Sequence, residues 1–91
     1  MESTGKNEYR AFLERFGSNV RRLRTAKHPH MSQERLALDT GLHRTAVGKI
    51  ERGIVEPRLV TMMILAKGLC VSLDEMVAGL DVPSERKPPA H

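Results

Sequence analysis

Apolar residues recur at three- and four-residue steps in the first third of the chain, which is the spacing of one face of an α-helix. This spacing predicts a first helix from about Glu8 to Lys27, with charged residues opposite the apolar stripe. The helix is expected to end before Pro29, because the residue that precedes a proline is disfavoured in helical geometry. The stripe consists of Tyr9, Phe12, Leu13, Phe16, Val20 and Leu23.

Two shorter helices are predicted next, separated by a glycine. Ser32 has the position and chemistry of an N-cap, although Arg35 stands where a full capping box has Glu or Gln. Gly41 fits the left-handed position that ends a helix and turns the chain sharply. The following helix is predicted from about Arg44 to Arg52 and closes at Gly53. The apolar positions around it are Leu42, Val47 and Ile50.

A fourth and a fifth helix complete the pattern. The fourth follows a loop that ends in Pro57, and the fifth begins at Ser72, which forms a complete capping box with Glu75. A hydrophobic fraction of 40% with few aromatic residues also suits helices better than a β-sandwich. The sequence therefore predicts an all-α fold, a compact five-helix bundle. The inward-facing residues are Leu59, Met62, Met63, Leu65, Ala66 and Leu69 on the fourth helix, and Leu73, Met76, Val77 and Leu80 on the fifth.

The chain has 91 residues, which leaves room for one compact domain, expected to span residues 8–80. Residues 1–7 are polar and show no periodicity, so we predict a disordered N-terminal segment. Residues 81–91 hold three of the five prolines, so we predict a flexible Pro-rich C-terminal tail.

Charge and cysteine content narrow the class of protein. The chain has 15 Lys and Arg against 11 Asp and Glu, and this net charge of +4 favours polyanionic partners, although charge alone does not identify one. Cys70 is the only cysteine, which excludes an intramolecular disulfide and a thiolate zinc cage built from one chain. No apolar run has the length of a membrane span and no signal peptide is visible, so we expect a cytoplasmic protein with no membrane partner.

Candidate chemistry is sparse. His28 and His30 lie in a loop without a cysteine or a carboxylate pair nearby, so we expect no metal and no other cofactor. Cys70 has no histidine close to it in the sequence, and there is no Gly-rich phosphate loop. The chain is therefore not expected to be an enzyme.

Two short helices joined by a tight glycine turn, with a basic second helix, can place that helix in the major groove of DNA. From Val20 to Leu80 the chain resembles the Cro and phage-repressor type of helix-turn-helix protein, also called the xenobiotic-response-element family. The resemblance implies a lambda-repressor-like DNA-binding domain. It is carried by Leu23-Arg24, Ser32-Gln33-Glu34-Arg35-Leu36-Ala37, Gly41-Leu42, Ile50-Glu51-Arg52-Gly53, Pro57 and the segment from Leu69 to Met76.

The resemblance also implies a role for each matched residue. Arg44, Thr45 and Lys49 fall at base-contacting positions, where Arg or Lys pairs with guanine and Thr with the thymine methyl group. Arg24 and Glu51 match a buried or half-buried salt bridge, which is a structural role. The resemblance implies that Gln33 anchors the DNA backbone and orients a neighbouring base-contacting side chain. Position and charge, and not the resemblance, predict phosphate contacts from Arg52 and Arg58. His43 precedes the third helix and can donate to a phosphate, but it is equally well explained as a surface residue at the start of that helix.

The sequence departs from the family pattern in two places. Gly48 stands where the family often has a larger contacting side chain, which indicates either a close approach to the DNA backbone or drift. The link at residues 25–31 is longer than the family usually shows, so we assign no phosphate contact to Lys27, His28 or His30.

These features predict a bacterial transcriptional repressor that binds double-stranded DNA at an inverted-repeat operator as a homodimer. Restriction controllers, antitoxins and phage-type repressors all remain open, and an antitoxin would have a toxin as partner. The alternative is a protein-interaction module or antitoxin whose helical domain mainly docks a partner protein through the apolar stripe of the fifth helix. The basic face of the third helix favours the DNA-binding hypothesis, because a docking module does not need it.

Overall fold

The structure, a computed structural model, describes residues 8–84. Within this range there are five α-helices and no β-strand, so the predicted all-α fold is confirmed. Residues 1–7 and residues 85–91, which belong to the predicted disordered segment and the predicted tail, lie outside the described residues. The helices are α1 (Glu8–Thr25), α2 (Gln33–Thr40), α3 (Arg44–Glu51), α4 (Leu59–Leu69) and α5 (Leu73–Met76).

The caps predicted from sequence form at three helix ends. The Ser32 hydroxyl accepts a hydrogen bond from the backbone N–H of Arg35 at 2.9 Å and so begins α2. Gly41 ends α2 with a φ of 78°, and its N–H donates to the carbonyl of Ala37 at 2.9 Å. Ser72 forms both halves of its capping box at the start of α5. These bonds satisfy backbone groups that a helix end otherwise leaves without a partner.

Helices α1 and α5 both end earlier than the apolar pattern of the sequence indicates. The first helix ends at Thr25 rather than Lys27, because the N–H of Lys27 bonds to the carbonyl three residues back and tightens the last turn. The fifth helix ends at Met76, since the N–H groups of Ala78 and Leu80 also bond three residues back. It therefore has a single regular turn, and Val77 is its C-cap.

The core lies where all five helices meet. α3 packs against α1 and α2, α4 packs against α2 and α5, and α5 returns to α1. Burial of one such apolar side chain stabilises the fold by roughly 1.5–3 kcal/mol. The completely buried side chains are Val20, Leu36, Val47, Leu65, Leu69 and Met76.

Four residues that the pattern placed inside are exposed. Leu59 and Met63 on α4 are 64% and 53% exposed, and Leu73 and Val77 around α5 are 36% and 37% exposed. α4 is apolar on more than one side, so its neighbours α2 and α5 cover only part of its apolar surface. The single turn of α5 buries only Met76. An apolar surface is therefore left uncovered on α4 and α5.

α1 holds two other elements at fixed positions. A Cβ at Gly17 would collide with the backbone carbonyls of Ile50 and Glu51, so a residue without a side chain lets α1 approach α3 closely. Two residues further along, the amide Nδ2 of Asn19 donates to the carbonyls of Met76 at 2.9 Å and Ala78 at 3.0 Å. α1 is thus fastened both to α3 and to the segment around α5.

The described part of the C-terminal segment lies against α1. The Ser84 hydroxyl donates to the Glu8 carboxylate at 2.7 Å, and residues 81–84 line a shallow cleft with the first turns of the helix. The division of the chain into a folded domain and two tails stays a prediction.

Candidate nucleic-acid interface

One face of α3 is exposed and basic. Arg44, Thr45 and Lys49 all point outward, whereas Val47 and Ile50 on the opposite side are buried in the core. The two sets separate because side chains three and four positions apart share a helix face. The structure thus brings together the three side chains to which base contacts were assigned. Arg52, the C-cap of α3, is exposed as well.

Arg24 and Glu51 form a buried ion pair behind this face. The Nε atom of Arg24 lies 2.6 Å from Oε2 of Glu51, and its Nη2 donates to Oε1 at 2.9 Å. The third guanidinium nitrogen, Nη1, donates to the carbonyl of Met31 at 2.9 Å. The pair therefore joins α1, α3 and the link that precedes α2, and it holds the buried carboxylate of α3 in two charge-assisted hydrogen bonds.

Gln33 belongs to the same network. Its amide Nε2 donates to Oε1 of Glu51 at 2.9 Å, which places the first residue of α2 beside α3. Its amide oxygen faces Gly48, since a Cβ built on Gly48 would lie 3.7 Å from Oε1 of Gln33. The sequence indicated Gln33 and Glu51 separately, but it carried no signal that they share a hydrogen bond.

His43 and Arg58 occupy equivalent positions on two helices. His43 is the N-cap of α3 and Arg58 is the N-cap of α4, and neither side chain makes a capping hydrogen bond. Both residues are exposed. The N-terminus of a helix carries unsatisfied N–H groups and a partial positive charge, which attract anions. A phosphate placed there would meet backbone donors and a cationic or hydrogen-bonding side chain together.

The loop between α3 and α4 is fastened to α1. The hydroxyl of Tyr9 donates to the Glu56 carboxylate, and this hydrogen bond, with burial and the negative charge of Glu56, raises the pKa of Tyr9 above 10.0. At the start of the loop Gly53 takes the left-handed conformation that the sequence predicted, with a φ of 73°. The segment that leads to Arg58 is therefore held in place.

The outer surface of α3 has a surplus of positive charge. Arg44, Lys49 and Arg52 are exposed there, while Glu51 on the same helix is buried and paired with Arg24. The charge of Glu51 therefore does not cancel that of the outer face. A polyanion such as the DNA backbone would be attracted to this surface.

Residues 8–84 show neither a cluster of metal ligands nor a membrane-spanning helix. No group of three or more His, Cys, Asp or Glu residues within the described range could hold a metal ion, and His28 and His30 are both exposed. None of the five helices is long and apolar enough to cross a bilayer.

A basic helix exposed on the surface, supported by a second short helix across a glycine turn, defines a helix-turn-helix DNA-binding domain. The sequence profile of the helix-turn-helix family matches residues 20–76. The chain belongs to this family and is a DNA-binding transcription regulator, not an enzyme, which confirms the resemblance found in the sequence.

The similar proteins include controllers of restriction systems. The chain is 38% identical over 68 residues to the control protein C.SmaI of Serratia marcescens, covering 75% of this chain and 79% of that protein. It is 39% identical over 62 residues to the control protein C.BamHI of Bacillus amyloliquefaciens, covering 68% and 75%. The crystal structure of the restriction-modification controller protein C.AhdI from Aeromonas hydrophila superposes with a TM-score of 0.65 at 39% identity, covering 72% of this chain and 96% of that one.

Proposed function

We propose that the chain binds an inverted-repeat operator as a homodimer, with α3 in the major groove of each half-site. The exposed basic face of α3, backed by the Arg24–Glu51–Gln33 network, is the observation that carries this proposal. A helix of this kind fits the major groove, where each base pair presents a distinct pattern of donors and acceptors.

The proposed contacts divide into two groups. Arg44 and Lys49 donate to guanine, and the methyl group of Thr45 packs against a thymine methyl. Phosphate contacts, which fix the position of the protein on the duplex, come from Gln33, His43 and Arg58. The helix N-termini at His43 and Arg58 support this assignment, since both can receive an anion.

The proposed dimer forms through the apolar surface left uncovered on α4 and α5. Removing this surface from water would favour association of two copies. A two-fold axis through it presents two recognition helices, so half-sites are expected one helical turn, or about 34 Å, apart. The exposed apolar residues on these elements are Leu59, Val60, Met63, Leu73 and Val77.

The regulated genes are proposed to be those of a restriction-modification system. The support is the similarity to two control proteins and to a restriction-modification controller of known structure. We propose repression as the effect, through occupation of the operator. A reporter gene behind a promoter that carries the selected operator should lose expression when the protein is present, and a rise in expression would show activation instead.

The first test is selection of bound duplexes from a random DNA pool at moderate salt. The wild type should enrich an inverted repeat, and an Arg44→Ala, Lys49→Ala variant should lose or relax it. An Arg15→Ala, Arg21→Ala variant is the matched control, because it removes the same charge from exposed positions on α1. Weak, salt-sensitive binding with no enriched sequence would refute the proposal and favour a docking module or an antitoxin that needs its partner.

Light scattering tests the dimer independently. Val77→Asp should shift the mass from dimer to monomer, because it places a charge in the proposed apolar interface. Leu38→Asp is the control, since Leu38 is 73% exposed on α2, outside the proposed interface. A monomeric wild type, or equal masses for wild type and Val77→Asp, would contradict the proposed arrangement.

A further inference from the structure

Three positions form one row along the exposed side of α3. Arg44, Gly48 and Arg52 are spaced by four residues, so each lies one turn beyond the last. The outer two are exposed, but Gly48 between them is buried. Because Gly48 has no side chain to turn inward, its burial means that neighbouring side chains cover it.

The atoms that cover Gly48 come from Arg52 and Gln33. A Cβ built on Gly48 would lie 3.2 Å from Nη1 of Arg52 and 3.7 Å from Oε1 of Gln33. Side chains on a helix lean towards its N-terminus and lie over the preceding turn. The Arg52 side chain therefore runs back along α3, and its guanidinium lies over the middle of the helix rather than beyond its C-terminal end.

Gln33 bounds the second side of the space over Gly48, which is the seat of the Arg52 guanidinium. Its Nε2 is engaged by Glu51 at 2.9 Å, and Glu51 is in turn fixed by Arg24. The amide oxygen is thereby held on the side of Gly48 and Arg52, where its partial negative charge favours a nearby guanidinium. Because Gly48 has no side chain, there is space over it for the Arg52 guanidinium, and the hydrogen bonds among Gln33, Glu51 and Arg24 fix the Gln33 side of that space.

We propose that Gly48 seats the guanidinium of Arg52 within the base-contacting face of α3, so that Arg52 determines sequence specificity by donating to a guanine edge. The proposal rests on the proposed function, and it gives Arg52 a base contact in place of the phosphate contact predicted from its position and charge in the sequence. A guanidinium can donate to O6 and N7 of guanine together, which distinguishes it from an ammonium group at the same place.

The experiment is a cycle of four proteins: wild type, Gly48→Ala, Arg52→Ala and the double variant. Each is titrated with the duplex selected by the wild type and with a scrambled duplex, and each is melted to check the fold. Arg52→Ala should weaken binding to the selected duplex about tenfold and relax selection at one base pair, with little change on the scrambled duplex. Gly48→Ala should not lower the Tm, because alanine is the better helix former and only the end of a flexible side chain must move.

The coupling between the two positions decides the outcome. Gly48→Ala should weaken binding to the selected duplex about fivefold in the wild type, but have no further effect in the Arg52→Ala background. Arg52→Lys, which keeps the charge at an unaltered Gly48, should bind the scrambled duplex as wild type does but show a weaker preference at the base pair where Arg52→Ala relaxes selection, because an ammonium group lacks the rigid bidentate fork of a guanidinium. This variant tests the base contact even if Gly48→Ala fails to fold.

Three results would overturn the inference. The first is a Gly48→Ala variant that binds the selected duplex as tightly as wild type. The second is a loss of affinity from Gly48→Ala that is as large in the Arg52→Ala background as in the wild type. The third is an Arg52→Ala variant that binds both duplexes equally more weakly and has a salt slope lower by about one, as the loss of a phosphate contact would give. A wild type that does not distinguish the two duplexes would instead refute the proposed function itself, so the two failures are separable.

Discussion

Removal of Arg24 should destabilise the domain far more than removal of an exposed arginine. Its side chain and that of Glu51 are only 8% and 3% exposed, so Arg24→Ala leaves a buried carboxylate with Gln33 as its remaining side-chain donor. Breaking one side of a buried pair costs about 3–5 kcal/mol. Since about 1 kcal/mol shifts the Tm of a domain of this size by roughly 4–8 °C, a loss of at least about 12 °C is expected.

Thermal melting followed by circular dichroism measures this effect, with Arg35→Ala as the matched control. Arg35 pairs with Asp39 four residues along α2, but the two side chains are 62% and 32% exposed, so its loss should cost at most about 0.5 kcal/mol. Glu51→Gln in the Arg24→Ala background removes the uncompensated charge and should recover part of the stability. An Arg24→Ala variant that melts within error of Arg35→Ala would refute the reasoning.

Three further predictions concern α1 and α5. Gly17→Ala should lower the Tm, although alanine is favoured in helices, because its Cβ would meet the carbonyl of Glu51; an unchanged or higher Tm would contradict the close packing of α1 on α3. Tyr9 is the only tyrosine in a chain without tryptophan, so its titration can be followed by absorbance. The midpoint should lie above pH 10.0 and should fall in Glu56→Ala. The stability from the Tyr9–Glu56 hydrogen bond should be present below the pKa of Tyr9 in the unfolded chain and lost as the pH rises through its pKa in the folded protein. Ser72→Ala should cost about 1 kcal/mol in urea unfolding through loss of the α5 cap, whereas Ser18→Ala at an exposed position of α1 should cost less.

The helices could be predicted largely because their ends carry specific chemistry. Ser32 and Gly41 bracket α2, and Ser72 begins α5, each through a hydrogen bond or backbone conformation that few other residues provide. The sequence carries no such signal at the C-terminal end of α4. Cys70 takes the left-handed conformation there, with a φ of 59°, where glycine or asparagine is the usual residue.

The buried face of α4 could not be predicted by periodicity. Eight of the 11 positions from Leu59 to Leu69 are apolar, so apolar residues lie on more than one side of α4 and the pattern does not choose which side faces the core. The choice depends on where α2 and α5 pack, which is a tertiary property. Leu59 and Met63 were therefore assigned to the core, although they remain exposed in the single chain.

The candidate site was predictable as a set of residues but not as an arrangement. The resemblance placed Arg44, Thr45 and Lys49 on one helix, and the helical repeat alone puts them on a shared face. The bond from Gln33 to Glu51 and the seat at Gly48 depend on how closely α2 approaches α3. No local pattern in the sequence encodes that distance.

The two attachments of α1 have a geometrical consequence for the proposed dimer. Gly17 fixes α1 against α3, and Asn19 fixes it to the segment around α5. If α5 lies at the two-fold axis, α1 is the rigid spacer that sets how far each recognition helix stands from that axis. Tolerance for operators with lengthened or shortened spacing is then governed by these two contacts and not by the side chains that touch bases.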